Sequence, residues 1–175
     1  MKRFFKILIP GLFIALALSL TLAIVSKAGR VRRVSERIMR LPDFSFLTLD
    51  GAEFRSKDIE RGPLLIVRFH PDCEHCHYEI SELIRNQWDL SDGMILLISY
   101  APADSIRKFL NHFSGSGSGN IIPLADPSLT FGEIFGTDVV PSNFIYDRDL
   151  NLVKVLYGEV RSETIIRYML NEEDQ

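Results

Sequence analysis

Cysteine is almost missing from this chain: its 175 residues hold two, Cys73 and Cys76. A bridge between them would close so short a loop that it would constrain the unfolded chain little, which argues against a purely structural disulfide. No internal repeat is present. Basic residues are scarce after position 40, with eleven Lys and Arg against twenty-two Asp and Glu over 41–175. That balance excludes nucleic acid as a partner of the globular part. Acid is equally scarce before it, since residues 1–40 carry nine bases and one acid, Glu36. Such a segment suits an anionic membrane surface. What is plentiful is apolar residues, 46% of the chain, enough for a real core.

Charge is also absent from Ile7 to Val25, nineteen residues with Lys2, Arg3 and Lys6 before them and Lys27 and Arg30 after. The run is long enough to span a bilayer and has no polar face for solvent. Its length, the poor cleavage site at Ser26-Lys27-Ala28 and the lack of a cysteine for lipid predict an anchor rather than a cleaved signal. The sequence therefore divides into a basic start (1–6), a transmembrane signal-anchor (7–25), a basic juxtamembrane segment (26–40) and a folded domain (41–175). Val31, Val34, Ile38 and Leu41 recur at helical spacing, predicting a short amphipathic helix from Arg30 to Arg40 on lipid headgroups. The charge rule, read literally, puts the domain in the cytoplasm. A chain-initial anchor with a short basic start favours export, and export is the expectation adopted.

Within the domain, Phe44, Phe46 and Thr48 alternate ahead of Asp50-Gly51, a hairpin signal. A short helical turn is expected at Ser56–Ile59. Leu64–Phe69 and Met94–Tyr100 read as strands buried on both faces. A helix follows the cysteines, with Tyr78, Ile80, Leu83, Ile84 and Trp88 along it. Further helices are expected at Asp104–Phe113, from Asp126-Pro127 to Phe135, and at Ser162–Leu170. Strands are expected at Ile121–Ala125, Asn143–Tyr146 and Leu152–Tyr157. Ser114–Asn120 reads as a flexible surface loop. Alternating strands and helices closed by a hairpin predict an α/β domain with a mixed sheet flanked by helices.

That order puts Cys73-Glu74-His75-Cys76 at a strand-to-helix junction. A thiol at a helix amino terminus faces free N–H groups and the positive end of the dipole, which stabilise its thiolate. Cys73 is therefore expected as the exposed nucleophile, and Cys76, one turn inside, as the shielded resolving thiol. His75 favours the reduced pair while Glu74 opposes it, so the direction of electron flow stays open. Glu79 stands three residues after Cys76 and is expected to handle the proton of the buried thiol. His70 and His77 read as polar rim residues.

PDFSFLTLDG, the strand followed by CEHCHYE, and VVPSNFIYD together resemble thioredoxin-like proteins of the TlpA/ResA type, in the redoxin or AhpC/TSA-like superfamily. The resemblance covers about Leu41 to Leu170. It implies a thioredoxin-like fold with an N-terminal β-hairpin extension, a membrane-anchored thiol-disulfide oxidoreductase, and a redox-active disulfide between Cys73 and Cys76. It further implies that Pro141 is a cis-proline beside the thiols and that the backbone at Val140 pairs with substrate. Cys73, Glu74, Cys76 and Glu79 resemble the motif of cytochrome c maturation members, whereas His75 resembles the strong oxidant DsbA. Two departures stand out: Asp72 replaces the aromatic residue usual before the first cysteine, and Val67 stands where ordinary thioredoxins bury an acid. The implied partners are protein thiols and disulfides in the envelope and a membrane or periplasmic electron donor or acceptor. No cofactor is implied. The expected location is the bacterial cytoplasmic membrane, with the domain on its outer side.

Competing chemistries are a c-type haem attached through Cys73-x-x-Cys76-His77, a copper or zinc site built from the thiols and nearby histidines, and a docking domain without catalysis. Haem requires a chain that wraps a porphyrin, and the motif here joins a strand to a helix inside a complete α/β pattern. Sco-type copper proteins space their cysteines more widely and use a distant histidine, for which only His112 is available. A peroxiredoxin would want threonine where His70 stands.

Overall fold

The computed structural model describes residues 18–22, 24–27, 29, 32–59, 62–86, 93–113 and 120–170. The chain forms two compact units, Met1–Glu36 and Arg37–Gln175. The expected transmembrane segment lies largely outside the described residues, and among these no helix is long and apolar enough to cross a membrane. Trp88 and most of the Ser-Gly loop also lie outside them. A helix covers 32–38, within the Arg30–Arg40 span where a helix is expected.

In the second unit seven strands form one sheet: β1 (Ser45–Thr48), β2 (Glu53–Arg55), β3 (Leu64–Arg68), β4 (Met94–Ser99), β5 (Ile121–Ala125), β6 (Ser142–Tyr146) and β7 (Leu152–Tyr157). Their order is β2-β1-β5-β4-β3-β6-β7. The central β3, β4 and β5 run parallel, while the β1–β2 hairpin and the β6–β7 pair are antiparallel. Gly51, at a φ of 85°, supplies the left-handed residue that the hairpin turn needs. Every residue of β3 and β6 is buried, as expected for strands covered on both sides.

Alternation along β3 separates two cores. Leu65, Val67 and Phe69 face α1 (Glu74–Arg85), α2 (Ala103–Leu110) and α4 (Ser162–Met169), packing with Ile80, Leu83, Phe109 and Ile165. The opposite face carries phenylalanines: Phe131 and Phe135 of α3 (Phe131–Phe135) stack at 4.5 Å and both reach Phe144, while Phe44 and Phe46 close the cluster. Residues 37–41 are stitched to this unit as well. Arg37 donates to the Glu133 carbonyl, Ile38 is buried, and Leu41 N–H bonds the Leu150 carbonyl.

Two helices differ from expectation. The helix expected from Pro127 begins at Phe131, because Leu129 adopts a φ of 56° and breaks the helical path. Asp126 still caps it, its carboxylate accepting from the N–H groups of Thr130 and Phe131. The helix expected to reach Phe113 ends at Leu110. Beyond it the bonds tighten to turns, His112 N–H to Phe109 and Phe113 N–H to Leu110.

Candidate functional site

The chain leaves β3 at Arg68 and reaches α1 through Phe69–Asp72, a loop held by three bonds. Cys73 N–H donates to the His70 carbonyl at 3.1 Å. Asp72 N–H donates to His70 Nδ1 at 3.2 Å, and His77 Nε2 donates to the Pro71 carbonyl at 2.6 Å. His70 packs at a tilt against Tyr100, with 4.7 Å between ring centroids. His77 packs edge-on against Phe109. Both histidines thus brace the loop.

Cys73 is the N-cap residue of α1, and its sulfur accepts the Cys76 N–H at 3.3 Å. The expectation of a thiol at a helix amino terminus therefore matches the geometry. Cys73 is half-buried, whereas Cys76 is fully buried. Burial pushes the Cys76 thiol well above the ordinary thiol range, and its contact with Cys73 pushes the same way.

Glu79 is fully buried on the same helix. Burial raises its carboxyl from the usual 4.5 to about 7, against the two donors that hold it. These are Val160 N–H, 2.7 Å from Oε2, and Asn143 Nδ2, 3.0 Å from Oε1. Its charge is felt at Cys76, where it opposes thiolate formation. A buried carboxyl that titrates near neutrality beside a buried thiol is suited to exchange a proton with it. Asn143 and Val160 were missed in the sequence. The one signal is the Asn143 amide directly ahead of the apolar Phe144–Tyr146 stretch.

His75 lies between the cysteines but turns outward, Nδ1 meeting Glu159 Oε2 at 2.6 Å. The Val140-Pro141 bond is cis. Register sets Ser142 opposite Arg68, so Pro141 lies at the sheet end where β3 departs toward Cys73. Val140 and Cys73 pack against the same core. Gly158 N–H donates to the Pro141 carbonyl at 2.9 Å, linking that loop to the segment that holds Glu79. Among the described residues no group of three or more His, Cys, Asp or Glu converges as a metal site. His70, His75 and His77 each engage a different partner, and His112 bonds its own helix at the Lys108 carbonyl.

On the other face of β3, Arg68 and Asp126 form a fully buried ion pair at 3.2 Å. The guanidinium lies 4.9 Å from the ring centroids of both Tyr100 and Phe131. Through Tyr100 this pair buttresses His70 and the loop before Cys73.

A sheet of this order, with a C-x-x-C pair capping a helix and a cis-proline at the same sheet end, defines a thioredoxin-fold protein. The chain belongs to the AhpC/TSA family, whose model matches residues 39–155. Among solved structures it is similar to a secreted Mycobacterium tuberculosis disulfide oxidoreductase homologous to E. coli DsbE, at 16% identity and a TM-score of 0.64, covering 78% of this chain and 98% of that one. A putative thiol:disulfide interchange protein DsbE from Chlorobium tepidum aligns at 15% identity and a TM-score of 0.65, covering 77% and 96%. Peroxidoxin BcpB from Mycobacterium tuberculosis aligns at 16% and 0.64, again covering 77% and 96%. No curated protein sequence matches the chain.

Proposed function

We propose that this protein is a membrane-tethered thiol-disulfide oxidoreductase of the TlpA/ResA type, exchanging disulfides with envelope proteins through Cys73 and Cys76. The observation that carries the reading is the half-buried Cys73 at the helix cap with the buried Cys76 and Glu79 behind it. In the reductive direction the Cys73 thiolate attacks a partner disulfide. One Cys73–partner bond forms, and the partner's second sulfur leaves as a thiolate. Cys76 then passes its proton to the Glu79 carboxylate and attacks the Cys73 sulfur. The Cys73–Cys76 disulfide forms, the partner leaves as a second thiolate, and two electrons have moved to it. A membrane dithiol donor restores the pair; the oxidative cycle is the reverse, with a disulfide acceptor. Val140 and Pro141 present the backbone edge against which the partner segment lies.

Tethering rests on the uncharged run Ile7–Val25 and on a helical stretch whose Leu18, Leu20, Leu22, Ile24 and Val25 are all more than half exposed. The domain is assigned to the outer side of the bacterial cytoplasmic membrane. The test is trapping with the full chain. Cys76→Ser is expected to accumulate partners as mixed disulfides on Cys73, and Cys73→Ser to accumulate none. If Cys76→Ser holds no partner and a dithiol cannot cycle the wild-type pair, the reading is wrong. An impermeant thiol reagent applied to intact cells is expected to label Cys73; failure to label it until the cells are lysed would reverse the assigned side.

A further inference from the structure

Asn143 is fully buried on β6, the strand paired with the one that leads into the thiol-bearing helix. Its Nδ2 donates to Glu79, and its Oδ1 has no hydrogen-bond partner. A buried amide oxygen without a partner costs free energy, and native structures rarely tolerate one idly. Here it belongs to a side chain touching a carboxyl that the proposed exchange requires to gain and lose a proton. An ionised carboxylate only accepts hydrogen bonds, whereas a carboxylic acid also donates one. Half a turn of the Asn143 amide exchanges its donor for its acceptor. A main-chain N–H such as that of Val160 can make no such exchange. The groups facing Glu79 are few: Cys76 on its own helix, Glu159 from the β7–α4 loop, and the uncharged Asn143 and Val160.

We propose that Asn143 is a positioning residue for the thiol exchange, holding the Glu79 carboxyl and following its protonation, with Nδ2 donating to the carboxylate and Oδ1 accepting from the acid. This rests on the exchange reaction proposed above and deepens it. Cys76 loses its proton to Glu79, the amide turns to receive the new O–H, and the thiolate attacks Cys73. When Glu79 releases the proton to solvent, the amide turns back.

The test is the pH dependence of the Cys73/Cys76 reduction potential, measured on the full chain equilibrated in dithiol buffers. Wild type is expected to show an inflection near pH 7 that Glu79→Gln abolishes. Asn143→Leu removes both the donor and the acceptor, and the charge-assisted bond to the carboxylate is the stronger of the two. The inflection therefore moves upward by about half to one pH unit, a change of about three- to tenfold in the protonation equilibrium. In the Glu79→Gln background the same substitution is expected to leave the pH profile unaltered. Asn143→Ser, which keeps a smaller group able to donate and accept, guards against a folding defect and is expected to shift the inflection less. An Asn143→Leu inflection that stays in place, or an equal change in both backgrounds, would overturn the assignment. A pair that does not cycle at all sinks the exchange reaction itself, and so the two failures are distinguishable.

Discussion

Glu79→Gln should alter stability in a way that depends on pH, and the size of the effect follows from burial. In the folded chain the Glu79 carboxyl is raised from 4.5 to about 7. The folded state thus prefers the protonated form. That preference stabilises fully below pH 4.5 and is lost as pH rises through 7. A shift of that size corresponds to about 3 kcal/mol. Glutamine has no charge to bury, so its stability carries no such slope. It has a fixed cost instead: Val160 N–H and Asn143 Nδ2 both donate toward position 79, and one of them now meets an amide N–H, at about 1–3 kcal/mol. Glu79→Gln should therefore be less stable than wild type at pH 5 and should gain on it by about 2.5 kcal/mol between pH 5 and pH 8, most of it before pH 7. Urea unfolding of the reduced proteins at pH 5, 6, 7 and 8 measures this. The Cys76 thiol stays neutral across the window, because burial moves it upward. A difference between the two proteins that is constant with pH would refute the reasoning, since a carboxyl that does not titrate in this range cannot serve the exchange.

The Arg68–Asp126 pair should respond asymmetrically. Asp126→Ala strands a buried cation and uncaps α3, costing about 3–5 kcal/mol, while Arg68→Met leaves Asp126 three donors from Thr130 and Phe131 and should cost distinctly less. Equal losses in chemical denaturation would count against the pair as described. Phe144→Ala removes a ring that meets both Phe131 and Phe135 and should cost about 3–5 kcal/mol in the same assay. His77→Ala frees the Pro71 carbonyl and should cost only about 1 kcal/mol of stability. It should nonetheless slow mixed-disulfide formation at Cys73 several-fold, and an unchanged rate would remove His77 from the bracing of the loop.

Much of the fold was legible because its strands announce themselves. Leu64–Arg68 and Ser142–Tyr146 are built on the apolar runs Leu64–Val67 and Phe144–Tyr146, and both strands are buried throughout. The spacing of Cys76, Ile80, Leu83 and Ile84 likewise marks the buried stripe of α1. The start of α3 is not legible, because Asp-Pro is a common helix opening and nothing local reveals that Leu129 turns left-handed first. In the site, Cys73, Cys76 and Glu79 are legible since they share one helix and one spacing. Their supports are not, because each comes from a distant segment: Asn143 lies 64 residues from Glu79, Val160 lies 81, and Asp126 lies 58 from Arg68. Arg68 and Asn143 do leave one trace, a polar residue adjoining an apolar run of strand length. Such a residue has to find a partner, and no local rule says where.

The same contrast bears on what sets the redox poise. From the sequence, the opposing influences are Asp72, Glu74 and His75, the residues packed around the thiols in the chain. In the folded protein these side chains face water. Asp72 is 90% exposed, His75 is 73% exposed, and His75 is paired with Glu159 rather than with a thiol. Charges so placed are heavily screened, and their effects on a neighbour are small. Glu79 is in the opposite situation. It is fully buried, it acts on Cys76 through protein rather than solvent, and its protonation changes near pH 7. Of the carboxyls around the pair, the interior one therefore has the greater leverage on the buried thiol. It follows that neutralising Asp72 or Glu74 should move the reduction potential less than Glu79→Gln does, and that the gap should narrow below pH 6, where Glu79 is already protonated. Equal shifts from all three at pH 8 would return control to the exposed rim.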